Sequence, residues 1–150
     1  MLSLIVICSL LVLLTVAIHA GGTSLWVWVL IRKYGHHEGM IGVKDRLSLF
    51  IMTALVLMTM HLVEVFLWAI TLLNLPAVTQ VDNLEQALYY SMVTFTTLGY
   101  GDITLSPGVR WLSGVEAMNG ILLFGWSTAF FFGVMQRAWK MGGESVFPNK

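Results

Sequence analysis

Apolar residues dominate three long stretches of the chain, and polar residues gather mainly between them. The stretches cover residues 2–31, 47–75 and 111–136. Each exceeds the ~20 helical residues that cross ~30 Å of hydrocarbon, so the pattern predicts three transmembrane helices. The first is expected to bend at Gly21-Gly22. Between the second and third, residues 76–110 are too many for a tight turn. Within them LEQALYYSMVTFTT has helical character, with Asp82 and Asn83 as N-cap candidates and Glu85 in the first turn, where a carboxylate suits the positive end of a helix. That run is too short to span, which predicts a helix that enters the membrane and returns. Gly99 and Gly101 stop it from continuing.

Composition agrees with this pattern. Of 150 residues, 57% are hydrophobic and only 11% charged, well below the quarter expected of a soluble domain. The formal net charge is +0, so no global field points to nucleic acid. The lone Cys8 excludes an intrachain disulfide. Arg32, Lys33, Lys44 and Arg46 lie between the first two apolar stretches, and Arg137, Lys140 and Lys150 follow the third; only Arg110 lies on the other side. The positive-inside rule then puts the N-terminus outside the cell membrane and the C-terminus in the cytoplasm. The first stretch lacks the basic start of a signal peptide and is read as a retained helix.

Non-helical backbone at membrane depth is tolerated only inside protein or along a water-filled path. Glycines alternating with ordinary residues can turn successive carbonyls to one side, and a symmetric ring of such carbonyls replaces the hydration shell of a cation. The segment TFTTLGYGD, residues 94–102, therefore reads as an ion-coordinating filter. TTLGYGD resembles the selectivity-filter signature of potassium channels, and ALYYSMVTFTTLGYGD is similar to the pore helix and filter of bacterial two-transmembrane members. The likeness covers roughly residues 48–136. It implies an all-α membrane protein: three transmembrane helices, a re-entrant pore helix and an extended filter, assembled as a homotetramer. The expected segments are an extra N-terminal helix (1–34), a cytoplasmic connector (35–47), a pore module (48–136) and a short tail (137–150). The pore module divides into an outer helix (48–75), pore helix (84–96), filter (97–102) and inner helix (111–136).

By the same resemblance, Thr97, Leu98, Gly99 and Tyr100 present carbonyls to K⁺, and Gly101 completes the filter. Tyr89, Tyr90, Val93, Thr96 and Asp102 support it, with Tyr100 packed on Tyr90 and Asp102 bonded to Tyr89. Leu98 departs from the commoner valine or isoleucine, and Val93 from the glutamate of many relatives. Gly120 falls at the inner-helix hinge of relatives, although a close helix contact is an equal reading. Counting helical steps, Ile121, Phe124, Thr128 and Phe131 or Met135 should line the cavity and form a hydrophobic gate.

His61 and Glu64, like Glu116 and Asn119, are spaced three apart within spans and define an expected intramembrane polar cluster. Structural packing is the first reading of it and proton-coupled gating the second. His36 and His37 lie in the connector, too far from His61 to share an ion with it, and no HExxH-type spacing exists. No cofactor and no catalytic residue are implied; K⁺ is the permeating ligand. The expected partners are three further copies, lipids, and a regulator through the N-terminal helix. Voltage-sensor arginines and ligand domains are not expected. The alternatives are a non-selective cation channel of the same architecture and a non-conducting regulatory subunit.

Overall fold

The computed structural model describes residues 1–34 and 42–143; His36, His37 and Lys150 lie outside them. Four helices account for the fold: α1 (Leu2–Tyr34), α2 (Val43–Asn74), α3 (Leu84–Phe95) and α4 (Trp111–Met141). No strand occurs among the described residues. The long helices α1, α2 and α4 are apolar and long enough to cross a membrane. At 1.5 Å per residue each measures about 45–50 Å, so each tilts or projects beyond ~30 Å of hydrocarbon. This explains why α2 starts before residue 48 and α4 runs past residue 136: helical pattern continues where apolar composition has already ended.

α1 runs as one continuous helix through Gly21-Gly22. Gly22 has a packing role. A Cβ there would come within 2.7 Å of Met60 Sδ, so the glycine lets α1 approach α2 closely. Trp26 adds a polar tie by donating its indole N–H to Thr53 Oγ1 at 3.0 Å.

The short helix α3 is fixed at both ends by its sequence. Asn83 caps it by accepting the Gln86 backbone N–H at 3.0 Å, while the Gln86 side chain accepts the Asp82 N–H at 2.9 Å. This reciprocal arrangement satisfies donors that the first turn leaves unpaired. At the far end the Thr96 N–H closes on Met92 O at 3.1 Å. α3 is wedged between α2 and α4: Ala87, Tyr90, Leu72 and Leu112 form one buried cluster, and Phe95, Trp68, Val65 and Leu123 form the next. Leu11 joins α1 to that second cluster. A third cluster, around Leu49 and Ala138, ties the opposite ends of α1, α2 and α4.

Candidate pore and its supporting polar groups

The backbone after α3 alternates in hand. Thr97, Gly99 and Gly101 have φ of +61°, +54° and +80°, with Leu98 and Tyr100 between them outside the left-handed region. Glycine takes such angles freely, but Thr97 is β-branched and strained there. The strain is held in place by the Thr97 N–H, which donates to Thr94 O at 2.9 Å, and by the Gly99 N–H, which donates to Val93 O at 3.1 Å. The carbonyl end of α3 thus holds the start of the extended segment. The sequence marked the two glycines; the left-handed threonine it did not.

Residues 96–102 are all exposed on the single chain, with Leu98 at 56% and Tyr100 at 67%. Asp102 accepts a hydrogen bond from the Tyr89 hydroxyl at 2.6 Å. Tyr90 pairs its hydroxyl with Ser113 of α4, so within one chain it is Ser113, not Tyr100, that engages it. The Tyr89 phenol holds the exposed Asp102 carboxyl below its usual range. A carboxyl so depressed keeps its contribution above the ordinary value and loses it only as pH falls through the depressed one. In Tyr89→Phe, Asp102 should therefore titrate at higher pH, back toward about 3.9. Carboxyl ¹³C shifts followed on acidification check this, and an unchanged titration would show that the phenol is not the cause.

Of the residues expected along the cavity, Ile121 and Thr128 are exposed on one face of α4. Phe124 and Phe131, on the same helical stripe, are partly buried within the single chain. Phe124 stacks on His61 at 4.3 Å and on Phe95 at 5.7 Å, and Phe131 faces Phe50 of α2 at 6.3 Å. Stepping from Ile121 by four and then three residues leads through Gly125, Thr128 and Phe132, all exposed. Met135 is half-buried. Gly120 is buried beneath Phe95, whose carbonyl oxygen any Cβ at this position would overlap.

The expected polar cluster divides into separate groups. Asn119 donates to Thr15 Oγ1 of α1 at 2.8 Å. Glu116 and Ser91 are both fully buried and lie near each other, but among the described residues neither the carboxyl oxygens nor the hydroxyl makes a hydrogen bond of good geometry. His61 and Glu64 do meet, at 3.0 Å, but as half of a larger arrangement. Glu64 also contacts His19 Nδ1 of α1 at 2.8 Å, and Ser127 Oγ of α4 contacts Nε2 of both histidines, at 2.9 Å to His61 and 3.2 Å to His19. His19, Thr15 and Ser127 were not singled out by sequence reasoning. A histidine within an apolar run was the available signal for His19; the two hydroxyl residues carry none of their own. One ring nitrogen from each of His19 and His61 and an oxygen of Glu64 lie within 4.8 Å of one another.

Two long helices thus flank a short one that ends in an exposed backbone segment of alternating hand, an architecture that defines a pore-forming class of membrane protein. Residues 58–137, just over half of the chain, match the family model described as ion channel. The chain belongs to that ion channel family. No curated protein and no solved structure compared with it gives a significant match.

Proposed function

We propose that the chain is one subunit of a homotetrameric potassium channel, which conducts K⁺ passively through the carbonyls of Thr97, Leu98, Gly99, Tyr100 and Gly101. The observation that carries this reading is the alternation of left-handed Thr97, Gly99 and Gly101 with Leu98 and Tyr100 directly after α3. Alternating hand turns successive carbonyls to a common side, where they can stand in for water around an ion. The C-terminal end of α3, at Phe95, adjoins the same segment, and the negative end of a helix dipole favours a cation there.

One chain cannot encircle an ion, and closed cyclic symmetry supplies the remaining copies. The fully exposed filter and the exposed apolar positions Met118, Ile121, Leu122 and Phe132 of α4 are the surfaces such copies would cover. Basic residues at the α1 end, the α2 start and the α4 end favour a cell-membrane orientation with the C-terminus in the cytoplasm. The filter and Asp102 then face outward.

Liposomes containing the purified chain test the proposal. Wild type should set a reversal potential near the K⁺ equilibrium value, and Gly99→Asp should abolish the flux while the protein still purifies as the same oligomer. An aspartate at φ +54° is strained, so the backbone that aims the carbonyls at the ion would have to change. Equal permeation of Na⁺ and K⁺ would reject the potassium reading, and a flux that survives Gly99→Asp would reject this segment as the pathway.

A further inference from the structure

The contacts among His19, His61, Glu64 and Ser127 form a closed ring. Glu64 Oε1 meets His19 Nδ1, His19 Nε2 meets Ser127 Oγ, Ser127 Oγ meets His61 Nε2, and His61 Nδ1 meets Glu64 Oε2. Each contact lies between 2.8 and 3.2 Å, a distance at which one atom must donate. His19 and Glu64 are fully buried, and His61 and Ser127 nearly so. Trp126 stands edge-on to His19, and Phe95 and Phe124 cover His61.

Four contacts need four hydrogens. The Ser127 hydroxyl supplies one, and each neutral imidazole supplies one. With Glu64 ionised, one contact is left with two acceptors facing each other. A single added proton completes the ring. It can sit on Glu64, with hydrogen bonds running one way around, or on either imidazole, with carboxylate and imidazolium paired. All these arrangements carry zero net charge. A second added proton would find no free acceptor in the ring and would leave a positive charge among apolar side chains, as would a divalent metal ion beside one carboxylate. Proton occupancy is therefore the solution that satisfies every atom and leaves no charge.

We propose that these four residues form a single-proton binding site inside the membrane, and that its occupancy sets how firmly α1 and α2 hold the inner helix α4. The ring is the place where the extra N-terminal helix grips the pore module by polar contacts from both α2 and α4. The titratable groups facing it are its own members: His19 from α1, and His61 and Glu64 from α2. α3 presents Phe95 to the ring, and α4 presents Ser127, Phe124 and Trp126. Glu116 lies eleven residues before Ser127 on α4, about 16 Å along the helix axis. The inference does not rest on potassium selectivity, and its test does not read ion flux.

Thermal unfolding of the purified full chain, followed across about pH 5 to 10, reads the bound proton through linkage. A proton held by the closed ring and lost with rising pH stabilises the fold below that titration, so wild-type Tm should drop on the alkaline side as the ring titrates; below about pH 6.5 the two unfolded imidazoles take up two protons against the ring's one, and Tm falls again. The alkaline drop should reach at least about 3 °C. Glu64→Gln is the decisive variant. Its amide N–H supplies the fourth hydrogen covalently and its oxygen accepts from the other histidine, so the ring stays complete with nothing to titrate. On the alkaline side its Tm should stay level near the wild-type maximum where wild type falls. ¹⁵N spectra of histidine-labelled wild type give a variant-free readout, in which the ring nitrogens should change pattern at the pH where Tm drops. A pH-independent wild-type Tm, or a Glu64→Gln curve that falls in parallel on the alkaline side, would overturn the proposal. So would zinc or another metal bound at one equivalent per chain and lost in Glu64→Gln.

Discussion

Gly120→Val should yield no functional channel, and Gly120→Ala a clearly destabilised one. Gly120 lies on α4 against the backbone of Phe95, the last residue of α3. A Cβ here would stand 2.8 Å from the Phe95 carbonyl carbon and closer still to its oxygen. Backbone at the end of a capped helix cannot swing aside as a side chain would, so α3 and α4 must separate. Overpacking by one methylene already costs about 1–3 kcal/mol, and valine adds two more carbons than alanine at the same point. The displacement would not stay local. Thr97 begins the left-handed alternation two residues after Phe95, and the Gly99 N–H hangs on Val93 O within the same helix. Movement of the α3 end therefore reaches the segment proposed as the filter directly. Size-exclusion profile, Tm and liposome flux measure the effect. Gly21→Ala serves as a control, since a Cβ on Gly21 meets nothing within 4 Å and alanine favours a helix interior by about 1 kcal/mol. If Gly120→Ala matched wild type in Tm and flux, the contact would not be the constraint described.

The same residue shows what the sequence could and could not say. A glycine inside an apolar helix signals bending, close approach or both, and no local pattern separates them; the position of Phe95, from another helix, establishes the approach. The spans and the short helix α3 were legible because apolar length and capping residues are local properties. Asn83, Glu85 and the two filter glycines could be placed by reading a dozen consecutive residues. Side-chain direction on α4 was less legible. Phe130, Phe131 and Phe132 are adjacent, and a step of 3.6 residues lets either of two neighbours continue a face, so the pattern alone does not choose between Phe131 and Phe132. The ring was half legible. His61 and Glu64 are three apart on one helix, but His19 joins from 45 residues before Glu64 and Ser127 from 108 residues beyond His19. Nothing periodic links positions so far apart.

Glu64→Leu should be the most destabilising single change in the ring, and replacing the whole ring with apolar residues should restore much of the loss. With leucine at position 64, both Nδ1 atoms lose their partner. Ser127 can still donate to one Nε2 and accept from the other, which leaves one buried N–H donor and one buried lone pair unmatched. Each such orphan costs about 1–3 kcal/mol, in line with the ~3–5 kcal/mol typical of breaking a buried ion pair from one side. Tm should fall by roughly 10 °C, taking 2–4 °C per kcal/mol for a chain of this size. His19→Leu/His61→Leu/Glu64→Leu/Ser127→Ala removes every polar atom of the ring at once. Burying an apolar set in place of a paired one is often neutral or stabilising, and the aromatic walls of Phe95, Phe124 and Trp126 already suit it. The fourfold variant should thus melt well above Glu64→Leu and show none of the ring's pH response. This separates stability from specificity: the ring is not needed to hold α1, α2 and α4 together, but it makes their association respond to a proton. A fourfold variant as unstable as Glu64→Leu would mean instead that the polar ring itself supplies the cohesion.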